Sequence, residues 1–363
     1  MKKTILHIID NLGRGGAETM LVTVAKQLKD YNNIIVTLHP ENEFGSDVKC
    51  DQLICLNLGS NYFIPSAAIK LRKIIKEYKV DIVHSHLFYS TIVARLGTPK
   101  KIPLITTIHA FVASSLEYRP WRMQLIERLT YQVRKSIIVA VAKGALDEYF
   151  NFIKVKPHKA CALYTFVDTA VFNEEASADK KENSPVFKII SVGNLKEQKN
   201  HGFLLEAFKE LRNENISLDI YGKGALEPIL QTTIDQQHLK VTLKGQVKDI
   251  QQRIQQYDLF VMSSSYEGFA LSVLEAMALR MPLLLSDIDS FKEQCADTAV
   301  YYSQNNTGDF INKLLSLKNN RQQLNALGAA AKERVIKNFT LEKHIQRLRS
   351  IYVDALPSTS IAS

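Results

Sequence analysis

Apolar residues in this chain come in short unbroken runs, separated by stretches in which they recur every three or four positions. Ile5–Ile9, Ile34–Leu38, Val80–His84, Leu104–Ile108 and Ile137–Val141 read as strands. Between them, Met20, Leu21, Val24 and Leu28 fall at helical spacing, as do the segments Ala67–Glu77 and Leu116–Lys135. Over Asp168–Pro185 the pattern lapses into a polar stretch with few apolar residues, then restarts. Phe187–Val192, Ile216–Tyr221, Val241–Leu243, Leu259–Met262 and Pro282–Leu285 read as further strands, Phe203–Leu211 as a helix, and Leu341–Ala355 as a last long helix. Strands alternating with helices predict parallel, doubly wound sheets. The expected organisation is an N-terminal α/β domain over 1–170, a linker over 171–185 and a C-terminal α/β domain over 186–340. A helix and tail over 341–363 have the option of packing back on the first domain.

The 363 residues suit two domains. With 46% hydrophobic and 23% charged residues, the composition excludes a mainly disordered, collagen-like or coiled-coil chain. No apolar run is long enough to cross a membrane. The first ten residues resemble a signal peptide only until His7 and Asp10 break the run, and no small-residue cleavage site follows, so they read as a first buried strand. Cys50, Cys55, Cys161 and Cys295 form no C-x-x-C pair and read as buried thiols in a reducing, cytoplasmic setting. No histidine cluster shows metal-ligand spacing in the sequence.

Charge is divided unevenly. Residues 1–170 carry 23 Lys and Arg against 14 Asp and Glu, whereas residues 171–363 carry 23 of each. A basic first half points to an acidic partner, such as an anionic lipid surface or a phosphorylated substrate, or simply to a solubilising surface. No nucleic-acid-binding module is recognisable, and no nucleic-acid partner is expected.

Three loops carry candidate chemistry. Gly13-Arg14-Gly15-Gly16 lies between a strand and a helix, where backbone N–H groups and a positive helix end favour an anion; a tight turn alone gives the same pattern. Gly193-Asn194-Leu195-Lys196-Glu197-Gln198-Lys199-Asn200 ends a strand and places Lys199 before a helix, where it meets a phosphate or stays solvated. Glu267-Gly268-Phe269-Ala270-Leu271-Ser272-Val273-Leu274-Glu275 sets two carboxylates eight residues apart, the first on a loop and the second about two turns into a helix. Carboxylates accept hydrogen bonds from sugar hydroxyls, and Gly268 permits close backbone approach; a chance glutamate pair is the alternative. His109 follows a strand at its carboxyl end, where α/β sheets hold ligands, and reads as a ligand contact or a hydrogen-bonded strand-end histidine. His84 and His86 end the preceding strand and read as the latter.

Together these residues resemble family 4 retaining glycosyltransferases with the GT-B fold, two Rossmann-like doubly wound domains facing a cleft. The Glu267-to-Glu275 element, with Ser265 before it and Pro282 after it, is similar to the E-x7-E signature of that family. Gly15-Gly16-Ala17-Glu18, Asp81-Ile82-Val83-His84-Ser85-His86, Thr107-Ile108-His109, Tyr221-Gly222-Lys223-Gly224 and Tyr257-Asp258-Leu259-Phe260 support the likeness, which covers essentially the whole chain. The resemblance implies that Gly15 and Gly16 offer backbone to the donor diphosphate, Lys199 binds it, and His109 sits near the transferred sugar. It also implies that Glu267 holds a hydroxyl of that sugar, with the Gly268, Phe269 and Ala270 backbone alongside, and that Glu275 holds the ribose. No metal or other cofactor is implied, since positive side chains and helix ends stabilise the leaving diphosphate. Many members have arginine where Asn194 stands, so a diphosphate cation is missing that Lys196 or Lys223 could replace; many have glycine where Arg280 stands.

The activity so implied is transfer of a sugar from a nucleotide-sugar donor to a hydroxyl of a cell-surface glycan precursor, with retention. A lipid-linked saccharide fits the basic first half, and the chain would then work at the inner face of a membrane. A soluble acceptor, a sugar-nucleotide epimerase and an inactive nucleotide-sugar-binding scaffold are the rival readings; the glutamate signature opposes the epimerase.

Overall fold

In the computed structural model the described residues are 2–13, 15–173 and 185–357. The chain divides into two compact units, one formed by Met1–Thr165 with Glu342–Ser363, the other by Phe166–Leu341.

The first unit is built on seven parallel strands: β1 (Thr4–Ile9), β2 (Asn32–Thr37), β3 (Gln52–Cys55), β4 (Ile82–His86), β5 (Leu104–Ile108), β6 (Ile137–Ala140) and β7 (Lys159–Ala162). Their order in the sheet is β3-β2-β1-β4-β5-β6-β7. Helices α1 (Gly16–Gln27), α2 (Ile64–Glu77), α3 (Phe88–Gly97), α4 (Trp121–Val133) and α5 (Lys143–Ile153) connect them. The central strands β1, β4 and β5 are buried along their whole length, as strands covered on both faces must be. The second unit has six parallel strands, β8 (Phe187–Val192), β9 (Ile216–Tyr221), β10 (Val241–Gly245), β11 (Leu259–Met262), β12 (Leu283–Ser286) and β13 (Val300–Tyr302), in the order β10-β9-β8-β11-β12-β13. Around them lie α6 (His201–Glu210), α7 (Glu227–Gln237), α8 (Ile250–Ile254), α9 (Leu271–Ala278), α10 (Asp289–Cys295), α11 (Thr307–Lys318) and α12 (Arg321–Asn338).

In both sheets the strand order reverses once, between β1 and β4 and between β8 and β11. The crevice at the carboxyl ends of such strands is where open α/β sheets bind ligands. The three candidate loops sit there: Gly13–Gly16 after β1, Gly193–Lys199 after β8 and Ser263–Glu267 after β11.

Helix α13 (Leu341–Ala355) comes last in the chain yet belongs to the first unit. Tyr352 is fully buried with its hydroxyl 2.8 Å from His84 Nδ1, and Arg349 pairs with Asp30 at 2.7 Å.

Several expectations need correction. Strand β4 starts at Ile82 and runs to His86, two residues past the expected end at His84, so His84 lies inside it and His86 closes it. Helix α4 starts only at Trp121; Pro120 precedes it, and a separate 3-10 turn covers Leu116–Tyr118. Strands β3, β7 and β13 carry half-buried or exposed residues and gave no clear apolar run. Of the four cysteines, which are all free, Cys295 alone is buried; the other three are half-buried. Most of the expected linker, residues 174–184, lies outside the described residues, as does Arg14.

Candidate functional site

In the second unit the site is organised around Glu267. This residue is buried on the loop after β11, and three side chains hold its carboxylate. Lys199 Nζ lies 2.6 Å from Oε1, Ser264 Oγ donates to Oε1 at 2.7 Å, and Gln198 Nε2 donates to Oε2 at 3.3 Å. Both members of the Lys199–Glu267 pair are nearly closed to solvent, with 13% and 8% of their side-chain surface exposed. Two candidates read separately from the sequence are therefore one charge-paired unit. The loops carrying them are also tied together: Ser265 N–H donates to the Gln198 carbonyl, and Ser263 Oγ to the Lys199 carbonyl.

Gly268, Phe269 and Ala270 continue the loop and are buried. Gln294, fully buried on α10, grips Ala270 through both its N–H (3.0 Å) and its carbonyl (2.9 Å), which fixes the entry into α9. Glu275 is the fifth residue of α9, little more than one turn in rather than two. Its carboxyl has no hydrogen-bonding or ion-pair partner among the described residues, and burial pushes its pKa up to about 7. A carboxyl group desolvated without a partner is poised for a ligand that brings donors.

The loop after β8 is packed from below. Leu195 N–H donates to the Lys223 carbonyl, and Gly222 has a φ of +148°. A Cβ on Gly222 would overlap the Gly193 carbonyl, so glycine is required for this approach. Asn194, Lys196 and Lys223 are exposed on these touching loops. Arg280, just past α9, takes φ +58°, the left-handed conformation in which glycine is strain-free.

In the first unit, Gly15 is the N-cap of α1 and Gly16 its first residue, with no side-chain cap on the helix end. The Glu18 carboxylate leans over this end, where a Cβ on Gly15 would run into it. His109, half-buried after β5, does not stand alone: its Nε2 lies 3.1 Å from His86 Nδ1, and His86 Nε2 lies 3.3 Å from His7 Nδ1. Burial lowers the pKa of His109 to about 3 and of His7 to about 4. His7, His84 and His86 bring ring nitrogens within 4.8 Å of one another, among the described residues the one group of potential metal ligands. The sequence hid this group because β1 and β4 are far apart in the chain but adjacent in the sheet, with His7 opposite His84. Both nitrogens of His84 are already bonded, to the Tyr352 and Thr107 hydroxyls at 2.8 and 2.7 Å. The sequence also holds one Asp-x-Asp triplet, Asp287-Ile288-Asp289, directly after β12; Asp287 pairs with Lys292.

Two family profiles divide the chain between them. Glycosyltransferase Family 4 matches residues 14–171, and Glycosyl transferases group 1 matches residues 172–334. The chain belongs to the family 4, group 1 glycosyltransferases. The transferase is 25% identical over 310 residues to the UDP-Gal:alpha-D-GlcNAc-diphosphoundecaprenol alpha-1,3-galactosyltransferase of Escherichia coli, covering 79% of this chain and 78% of that one. It is 23% identical over 304 residues to the N-acetyl-alpha-D-glucosaminyl L-malate synthase of Bacillus anthracis, covering 80% and 78%. Its fold is GT-B; Anabaena HepE, solved with UDP-glucose, superposes with a TM-score of 0.81 at 15% identity, over 97% of this chain and 99% of that one.

The transferase also displays an inverted helix. On α4 the buried residues are Glu127 and Tyr131, and Glu127 is held at 2.8 Å by Arg95, both side chains fully inside. Trp121, Leu125, Ile126, Leu129 and Val133 face solvent instead, the first at 67% and the last at 69% exposure. No helix among the described residues is long and apolar enough to cross a membrane.

Proposed function

We propose that the transferase moves a sugar from a UDP-linked donor to a hydroxyl of a lipid-linked glycan precursor, retaining the anomeric configuration and using no metal ion. The observation that carries the reading is the buried Lys199–Glu267 pair on the loops leading to α9, together with Glu275 on that helix, whose carboxyl has no partner among the described residues. When the bond between the anomeric carbon and the diphosphate breaks, positive charge grows on the sugar and negative charge on the leaving group. Glu267 receives a sugar hydroxyl, and its fixed position orients the ring. Lys199 turns part of its charge from Glu267 to the diphosphate. Lys196 and Lys223 add further positive potential, in place of the cation that Asn194 does not supply; in the first unit, the end of α1 at Gly15 and Gly16 is a separate element that favours an anion. Glu275 accepts the ribose hydroxyls, the Gly268–Ala270 backbone lines the sugar, and His109 is the first unit's contribution to holding it.

A lipid-linked acceptor is supported by α4. Five large apolar residues turned outward among Arg119, Arg122 and Arg128 suit an anionic membrane surface, and the inward Glu127 shows that the helix is held in this orientation by design of its packing. The galactosyltransferase relative carries such an acceptor in its name. The malate synthase relative keeps a small soluble acceptor as the second reading.

The test is a panel of nucleotide sugars offered with lipid-linked and soluble acceptors, the products read by mass and the new linkage by anomeric coupling in NMR. Product only with soluble acceptors overturns the acceptor class. An inverted linkage overturns retention, and no transfer or donor hydrolysis with any nucleotide sugar overturns the site.

A further inference from the structure

Five histidines meet in the first unit. His7 comes from β1, His84 and His86 from β4, His109 from the end of β5, and His344 from α13. The sheet register brings them together: His7 lies opposite His84, and His86 opposite Thr107, two residues before His109. They surround a cavity of about 20 Å³, room for a single water.

The rings are not arranged to share a metal. His84 and His86 lie tilted at 4.3 Å with 32° between planes, and His7 and His86 at 5.6 Å with 26°. Both nitrogens of His84 are taken up by the Tyr352 and Thr107 hydroxyls, and His7 and His86 turn nitrogens on each other, so the three rings do not leave lone pairs free for one ion. What the geometry does supply is a chain: His7 Nδ1 to His86 Nε2 at 3.3 Å, then His86 Nδ1 to His109 Nε2 at 3.1 Å. The backbone sharpens it, since Leu87, directly after His86, is held at φ +68°, a conformation that needs support from its surroundings.

We propose that His7 and His86 are positioning residues for His109, fixing its ring orientation and holding its proton on Nδ1. The proposal rests on the reading of His109 as the group that meets the transferred sugar. Uncharged, each ring has one N–H to give. Two arrangements satisfy both bonds of the chain. In one, every proton points from His7 towards His109; in the other, every proton points back. His7 Nε2 is buried and has no hydrogen-bonding partner among the described residues. The backward arrangement places an N–H there, the rarer defect in protein interiors; the forward arrangement leaves only a bare lone pair. So His7 donates to His86, His86 donates to His109 Nε2, and His109 keeps Nδ1–H as its one donor. The ring then offers a hydrogen bond to a sugar oxygen without adding positive charge beside a carbon that is itself becoming positive.

The experiment has two arms, both on the full-length protein. Long-range ¹H–¹⁵N NMR of histidine-labelled wild-type enzyme reads the tautomer of each ring, and Nδ1–H is expected at His109; Nε2–H there overturns the proposal whether or not any variant folds. In kinetics, His86→Asn keeps a polar atom near the Nδ1 position and so retains the partner of His109. His86→Gln keeps one near Nε2 and retains only the partner of His7. His86→Asn is expected within about threefold of wild-type kcat, and His86→Gln and His86→Leu lower by about 10-fold or more, with donor KM changed less than about threefold. Equal kcat for the Asn and Gln variants overturns the proposal, as does stoichiometric zinc that survives dialysis and is lost in His7→Ala. His109→Ala with undiminished kcat overturns the role of His109 itself, a failure the tautomer spectrum keeps separate.

Discussion

Glu275 offers the sharpest test of the donor site, because its carboxyl is desolvated without a partner. Its pKa rises from 4.5 to about 7. Below pH 4.5 the group is protonated whether the chain is folded or not, and it contributes no pH dependence. Between pH 4.5 and 7 the unfolded chain loses this proton while the folded one keeps it. The native state then binds more protons, and stability falls as pH rises. Above pH 7 the full penalty is present: about 2.5 units at 1.36 kcal/mol each, or about 3 kcal/mol, less whatever the partly open side chain recovers from water. Glu275→Gln has nothing to ionise and escapes it. Relative to wild type, the variant should therefore gain about 1.5–3 kcal/mol between pH 4.5 and pH 8, which for a unit of this size is about 3–10 °C in melting temperature. All other titrating groups are common to both proteins and cancel. Paired thermal or urea melts at pH 4.5, 6 and 8 make the measurement. A difference between the two proteins that stays flat across this range refutes the reasoning. The same carboxylate should make donor affinity of wild type improve as pH rises through 7, since ribose hydroxyls donate best to the ionised form; the variant should lose that trend.

In turnover the two glutamates should separate: Glu275→Gln raises donor KM with little change in kcat, whereas Glu267→Gln lowers kcat by about 10²-fold, and the reverse ranking in steady-state kinetics would reject the assigned roles. Asn194→Arg should lower donor KM several-fold by restoring a cation beside the diphosphate; an unchanged or raised KM would show that Lys196 and Lys223 do not stand in for it. Activity should survive EDTA, and loss restored by magnesium or manganese would turn attention to Asp287 and Asp289. Sedimentation with vesicles should show binding to anionic but not neutral lipid, weakened by salt and abolished when Trp121, Leu125 and Leu129 are replaced by serine; since these side chains are exposed, melting should not move.

Much of this was legible from the chain alone. Strand β5 and strands β8, β9 and β11 announced themselves as apolar runs, and Glu267, Glu275, Lys199 and His109 stood out by type and spacing. What escaped was whatever depends on which strands are neighbours. The bond from Lys199 to Glu267 spans 68 positions and exists because β8 and β11 flank a reversal of strand order. The imidazole chain needs β1 beside β4. Gln294 and Ser264 have no signal of their own, since a buried amide or hydroxyl is recognised only by what it bonds. Helix α4 was legible as a helix, but not its orientation: nothing in the pattern says that Glu127 and Tyr131 turn inward while Trp121, Leu125 and Leu129 turn outward.

The place of α13 bears on how the protein is made. The first unit needs Tyr352 to complete the histidine layer and Arg349 to reach Asp30, yet the whole second unit is synthesised before either residue. At about 5–20 residues per second, roughly 180 intervening residues take on the order of 10–40 s. Throughout that interval the nascent first unit carries an uncovered seam, with His84 and its neighbours open to water and free to take up protons that the finished molecule excludes. Helix α13, made after the whole second unit, is thus the one that dries the first unit's histidines, and a chain stalled short of it would hold its candidate catalytic imidazole without the cover that fixes its state.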